Sequence, residues 1–318
     1  MRAAEPGWKA QRSKGIELLQ AELLKKVPWV VHGFSTRVGG RSRLKGAPAL
    51  NLGFTDWDTR PAVAANRHMF LEALGAGRMP LATLRQIHSD VVHAVSTLPG
   101  EPPAGDAPVG DAMVTRRPGL LVAVQTADCV PILLVDTARR VVAAVHAGWR
   151  GTLARVAAKT LGRMRLEFGT RPDDVAAALG PSIGRCCYAV GPEVAQAFSA
   201  QFAGAAEWFD GPFARLSEGE EPNPLPWLNM MPPGHQPEPE RVNLDLRAAN
   251  RSQLMEAGVS PRRIAVSTLC TACRTDLLFS YRREGAGTGR LMAVIGIRAG
   301  SRQAGRKGDS SSAAADSE

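Results

Sequence analysis

Three short apolar runs, Leu121–Gln125, Val130–Val135 and Val141–Val145, lie close together in mid-chain, and each reads as a buried strand. Upstream, Trp29–Ser35 predicts a strand entering the turn Thr36–Gly40, and Leu81–Ile87 predicts another. Between them Pro61–Leu74 has the punctuation of a helix: Asp58 or Thr59 to cap it, proline in the first turn, Gly75 to end it. A shorter helix is expected over Ile16–Lys26, stopped by Pro28, while residues 1–14 show no period. Downstream, apolar residues at helical spacing mark Thr152–Phe168, and helices are also expected at Pro192–Phe202 and Leu246–Ala257. Strands follow at Val175–Leu179, Ile264–Ser267, Leu277–Arg282 and Leu291–Ile297, and Pro99–Gly110 reads as a loop.

Strands alternate with helices, but not as regular βαβ units, and no segment repeats. The expected fold is therefore α/β: a single-domain α/β/α sandwich with a mixed sheet, rather than a Rossmann sheet or TIM barrel. Its core spans 28–297, behind a partly disordered N-terminal extension (1–27) and ahead of a disordered Ser/Ala/Gly-rich tail (298–318). Residues 204–240 break the pattern: eight prolines and seven acidic residues against one arginine describe an acidic surface insertion, one that could contact a partner.

With 318 residues, 44% of them hydrophobic, the chain can bury a sizeable core. It has no apolar run of membrane-spanning length and no signal-peptide block, so a soluble cytoplasmic protein is expected, with no membrane partner. Five cysteines, an odd number without framework spacing, also suit a reducing compartment. The formal charge of +9 suggests nucleic acid at first, but residues 1–15 and 298–318 carry +3 and +1 of it. The rest is scattered and forms no basic stripe, so no nucleic-acid partner is expected. Ordinary surface charge accounts for much of it, and an anionic small substrate such as phosphate for the arginine content.

Three residues at polar strand ends could share a cation: His88, Cys129 and His146. Two imidazoles and a thiolate suit zinc, with copper as competitor, and three protein ligands leave one position open. The spacing leaves other readings open, namely Cys129 as a nucleophile with a histidine base, or as a small buried residue. Asp128, lodged between apolar strands, should be paired or working, as a general base or to orient a ligand. Arg37 beside Gly39-Gly40 could grip an anion, though most such turns are only turns. Cys270 and Cys273 form a lone CxxC without a matching pair, a redox pair or, by default, packing or incidental thiols, and the vicinal Cys186-Cys187 are read as packing residues.

The chain resembles a known family in seven collinear motifs: His32–Arg37 with Gly39-Gly40, Asn51-Leu52-Gly53, Gln86-Ile87-His88, Thr126–Pro131, His146–Thr152, Gly180–Gly184 with Cys186-Cys187-Tyr188, and Phe279–Arg283. It is similar to the YfiH-like laccase-domain proteins, described as purine nucleoside phosphorylases and adenosine deaminases, polyphenol oxidases and peptidoglycan editing factors. The resemblance implies zinc on His88, Cys129 and His146, and phosphorolysis of adenosine, inosine, guanosine and methylthioadenosine together with adenosine deamination. Asp128 and Cys129 are then the catalytic candidates, and Ser35, Arg37, Gln86 and Arg150 the candidates for substrate. The alternatives are an amidase that removes misincorporated L-Ser from UDP-MurNAc, a single-copper polyphenol oxidase, and a non-catalytic partner protein. A four-copper oxidase needs about ten histidine ligands, and the chain has six histidines.

Overall fold

The computed structural model describes residues 5–96, 107–211 and 241–300. The first part of the chain forms β1 (Trp8–Ser13), β2 (Ile16–Ala21), α1 (Glu22–Lys25), β3 (Val30–Ser35), β4 (Val38–Leu44), β5 (Ala47–Ala49) and α2 (Arg60–Ala73). The middle forms β6 (Leu81–Ala82), β7 (Val92–Ala94), β8 (Ala112–Thr115), β9 (Leu121–Thr126), β10 (Val130–Asp136) and β11 (Val141–Ala147). Then come α3 (Trp149–Leu153), α4 (Val156–Phe168), β12 (Val175–Leu179), β13 (Ala189–Val190), α5 (Pro192–Gln201) and β14 (Phe209–Asp210). The last elements are β15 (Val242–Leu244), α6 (Leu246–Glu256), β16 (Ile264–Val266), α7 (Tyr281–Glu284) and β17 (Leu291–Ile297).

Two six-stranded sheets carry the fold, ordered β1-β2-β3-β17-β9-β6 and β16-β12-β10-β11-β8-β7. Both are mixed: β6–β9, β12–β16 and β7–β8 pair in parallel and the other pairs antiparallel. Because side chains alternate faces along a strand, each sheet has two apolar sides. Phe34, Val122, Val124 and Ile295 of one sheet face Leu133, Val135, Val142 and Ala144 of the other. The opposite parity packs outward. Val31, Leu121 and Val294 meet α2 through Phe70 and Leu71, while Ile132, Leu134 and Val145 meet α4, α5 and α6. Helices thus cover the outside of a strand interior, as the α/β class requires, and the strand layer is double.

The three mid-chain runs are β9, β10 and β11, buried on both faces, which is why they read as unbroken apolar stretches. Thr59 caps α2 by accepting the Ala62 N–H, with Pro61 in the first turn. Other expectations are corrected. Ile16–Ala21 is a strand, because β1 and β3 flank it; only Glu22–Lys25 turns helical. Residues 8–13, expected to be unpatterned, form the edge strand, and Trp8 packs edge-on to Phe34 at 5.2 Å. The helix expected over Thr152–Phe168 is split at Arg155, which takes φ +62°. Leu277–Arg282 is not a strand: Leu277 and Leu278 turn back on the Arg274 carbonyl, and α7 begins at Tyr281. The strand expected over Leu81–Ile87 ends at Ala82, because the amides of Ile87, His88 and Ser89 bond to the Asp111 carboxylate instead of a ladder.

The start of the acidic insertion is ordered and partly buried, with Trp208 and Phe209 packed on Phe198. Positions 212–240 of that insertion, 99–106 of the predicted loop and 301–318 of the predicted tail lie outside the described residues. The two cysteine pairs, expected as separate packing residues, converge in one cluster in which Cys186 and Cys273 are exposed.

Candidate metal centre and substrate cleft

Three ligand candidates arrive from three chain segments. Cys129 ends the turn between β9 and β10, and His146 is the penultimate residue of β11, in register with Pro131. His88 stands on the turn after β6 with φ +61°. Their ligand atoms all lie within 4.8 Å of one another, and the imidazole rings meet edge-on at 4.9 Å. Gly148 makes this convergence sterically possible: a Cβ there would stand 2.8 Å from His88 Cδ2 and 3.0 Å from Cys129 Sγ.

Behind the ligands lies Asp111, fully buried. Its Oδ1 accepts from His146 Nδ1 at 2.8 Å and the His88 N–H at 3.0 Å. Its Oδ2 accepts the Ser89 N–H and hydroxyl, each at 2.6 Å. One carboxylate therefore shapes the His88 turn and fixes the His146 tautomer, leaving Nε2 for the centre. Burial works against the Asp111 charge, but His146 and Ser89 outweigh it and hold the carboxyl below its ordinary range. Burial likewise opposes ionisation of Cys129 and His146, yet their mutual attraction prevails. With help from His88, the thiol falls to about 6; with help from Asp111, the imidazole rises to about 9. A thiolate and two oriented imidazoles are the donor set of a borderline-soft divalent cation.

These residues open onto a cleft of about 690 Å³. Three arginines line it, each stacked on an aromatic ring: Arg150 on Trp149 at 4.4 Å, Arg282 on Tyr188 at 5.1 Å, and Arg290 on Tyr281 at 5.8 Å. The Arg150 guanidinium has no hydrogen bond or ion pair with another described residue. Burial pushes the Tyr188 phenol up, so it stays protonated at neutral pH and can donate. Asp128 sits at the cleft in a strained conformation, φ +96°. Its Oδ1 accepts from Thr271 Oγ1 at 2.5 Å and its Oδ2 from the Arg282 N–H at 2.7 Å.

Of the residues singled out from sequence, the fold gathers His88, Cys129, His146, Asp128, Gln86 and Arg150 at this cleft. Gln86 is already engaged, its side-chain amide bonded at both ends to the Gln125 backbone at 2.8 Å. Ser35 and Arg37 are not brought here. Ser35 Oγ lies in the sheet, accepting the Met292 N–H at 2.9 Å. Arg37 is committed to Glu284 at 2.9 Å and the Thr275 carbonyl at 2.7 Å, against the Phe279 ring. Neither side chain lines the cleft. Sequence reading missed Asp111, Tyr188, Tyr281, Arg282 and Arg290. Asp111 gives no local signal and Arg290 lies seven residues past the nearest motif, whereas Tyr188, Tyr281 and Arg282 sit inside motifs that carried the resemblance.

A family model described as "Multi-copper polyphenol oxidoreductase laccase" matches residues 31–298. A protein named purine nucleoside phosphorylase from Deinococcus radiodurans is 39% identical over 284 residues, 89% of this chain and 94% of that one. A protein named adenosine deaminase RL5, from an unknown prokaryotic organism, is 35% identical over 88% of this chain and 98% of its own. The crystal structure of the Bacillus licheniformis hypothetical protein YfiH superposes with a TM-score of 0.74 at 29% identity, covering 91% of this chain and 99% of that one.

Proposed function

The chain belongs to this laccase-like family, the YfiH family of enzymes, and on that premise we propose that it is a zinc-dependent purine nucleoside phosphorylase that also deaminates adenosine. The observation that carries the reading is the conjunction in one cleft of the His88–Cys129–His146 donor set with three arginine–aromatic pairs. Guanidinium groups match phosphate oxygens, and aromatic rings match a purine. The relatives' names supply the reaction class, and adenosine, inosine, guanosine and methylthioadenosine are the proposed substrates.

In phosphorolysis a phosphate oxygen attacks ribose C1′ as the C1′–N9 bond breaks, giving ribose 1-phosphate and the free base. Arg150, with Arg282 and Arg290 beside it, binds the phosphate dianion. Tyr188 and Tyr281 flank the base, and the neutral Tyr188 hydroxyl can donate to the departing purine as negative charge develops. Asp128 retains a lone pair on each oxygen after accepting from Thr271 and Arg282, enough to take and return a proton. The same carboxylate suits deamination, where water adds at purine C6 and the amino group leaves as ammonia. A divalent cation on His88, Cys129 and His146 supplies Lewis acidity for that chemistry. Gln86 holds the wall beside Gln125.

All five cysteines are free, which supports a reducing, cytoplasmic setting, and no described helix is long and apolar enough to cross a membrane. Of the histidines within the described residues only His88 and His146 meet in a metal-competent group, which argues against multicopper chemistry. The test is incubation of metal-assayed protein with adenosine or inosine, with and without phosphate. Phosphate-dependent release of free base and ribose 1-phosphate is expected. Absence of nucleoside turnover by zinc-replete protein, with cleavage of a UDP-muramoyl-serine substrate, would overturn it in favour of precursor editing.

A further inference from the structure

Outside the cleft lining, two loops bring four cysteines together. Cys186 and Cys187 lie in the turn after β12, where the Cys187 N–H bonds to the Gly184 carbonyl at 2.9 Å. Cys270 and Cys273 lie in the turn after β16, closed by the Arg274 N–H on the Cys270 carbonyl at 3.0 Å. The loops are stitched at Ser182 and Cys270 by a parallel bridge, with the Thr271 N–H on the Ser182 carbonyl at 3.0 Å. All four sulfurs fall within 4.8 Å of one another, Cys273 Sγ standing 3.4 Å from Cys187 Sγ and 3.6 Å from Cys186 Sγ.

These separations are too long for a disulfide, at about 2.05 Å. They fit another geometry: four thiolates about 2.3 Å from a central zinc stand about 3.8 Å apart at tetrahedral angles. The loops also look built for convergence. A Cβ on Gly184 would press to 3.2 Å from Cys186 Sγ and 3.3 Å from Cys270 Cβ, so glycine permits the close approach. The Gly184 N–H bonds to the Cys270 sulfur at 3.2 Å and so ties the first loop to the second at a ligand atom. No imidazole or carboxylate belongs to the group, so its donors select a soft or borderline cation and leave no open position.

We propose that Cys186, Cys187, Cys270 and Cys273 hold a structural zinc ion as a closed tetrathiolate, distinct from the His88–Cys129–His146 centre. On binding, the thiols release their protons to solvent and the sulfurs become zinc ligands, with no redox change. The ion clamps two loops that reach the cleft: Thr271, inside the CxxC turn, donates to Asp128, and Tyr188 directly follows Cys187. Its role is to hold those loops in register.

The test uses the full chain purified under reductant. Wild-type protein should carry two cations, and the His88→Ala/Cys129→Ala/His146→Ala variant should keep one equivalent of zinc by elemental analysis. Adding Cys270→Ser and Cys273→Ser should remove that equivalent. Because this last variant could fail to fold, the triple variant is also loaded with cobalt(II), where intense thiolate-to-metal charge-transfer bands with a tetrahedral d–d envelope are expected. Its four cysteines should resist a thiol reagent until a chelator strips the ion. Zinc-free triple variant, immediate reaction of all four thiols, or disulfides in the non-reduced mass spectrum would each overturn the proposal.

Discussion

Asp111 accepts hydrogen bonds from three consecutive amides, a hydroxyl and an imidazole, and so links the folding of the His88 turn to the orientation of His146. Asp111→Asn keeps the shape and removes the charge, leaving one end of the amide a donor facing donors. Loss of such a partner typically costs 10–100-fold in metal affinity, and chelator competition should show a fall of about that size at His88–Cys129–His146. An unchanged affinity would mean that the ligands hold themselves. Arg150 makes the opposite kind of prediction, because its guanidinium stacks on Trp149 but bonds to no described protein group. Arg150→Ala should leave metal content and thermal stability as they are. It should raise the KM for phosphate by about tenfold or more, the worth of a charge-assisted hydrogen bond. An unaltered phosphate KM would assign the anion to Arg282 and Arg290. These two residues also mark what a sequence shows of a site. Arg150 adjoins a ligand-bearing strand end and could be singled out, whereas Asp111 follows a loop and meets its partners only when β8, β11 and the His88 turn pack together.

Elements covered on both faces were legible, and those dependent on a distant partner were not. β9, β10 and β11 announce themselves as apolar runs because every side chain except the half-buried Gln125 is buried. β1 is mostly exposed and polar except at Trp8, so its strand character comes from pairing with β2, not from its own pattern. That pairing should matter energetically. Trp8→Ala removes the ring packed on Phe34 and should cost about 3–5 kcal/mol, read as a shift in the denaturant midpoint; a loss below 1 kcal/mol, the scale of a surface substitution, would show that the hairpin is dispensable. On β3, His32 is buried with Nε2 unpartnered. Burial, with the Lys25 charge, lowers its pKa from 6.5 to about 4 despite a bond to the Ala21 carbonyl. Below pH 6.5 the unfolded chain therefore binds a proton that the folded chain refuses. Stability should be full above that pH, fall between 6.5 and 4, and flatten below, for a total of about 3 kcal/mol. The stability difference between wild type and His32→Gln should shrink over the same window. A difference independent of pH would mean that His32 titrates alike in both states.

At the scale of the whole molecule, the double strand layer explains why residues 41 and 17 apart in sequence become neighbours. β9 belongs to one sheet and β10 to the other, so the Ala127–Cys129 turn between them crosses the interior edge and carries its thiol to the end of β11. The acidic insertion, 204–240, is described only over its first residues, up to 211. Its ordered flanks come together: Asp210 pairs with Asn243, and a Cβ on Gly211 would sit 3.5 Å from the Arg241 carbonyl. Residues 210–211 and 241–243 therefore adjoin one another, while Trp208 and Leu244 anchor the two sides in the core. Replacing residues 212–240 with a short Gly/Ser turn should preserve the β14–β15 pairing and the cleft. The melting temperature should change by no more than a few degrees, the scale of about 1 kcal/mol in a chain of this size, and the kcat and KM for nucleoside should hold. If binding to a partner protein is lost while catalysis persists, the segment is the docking surface. If the KM for nucleoside rises instead, with metal content intact, the segment reaches the cleft and belongs to the substrate site.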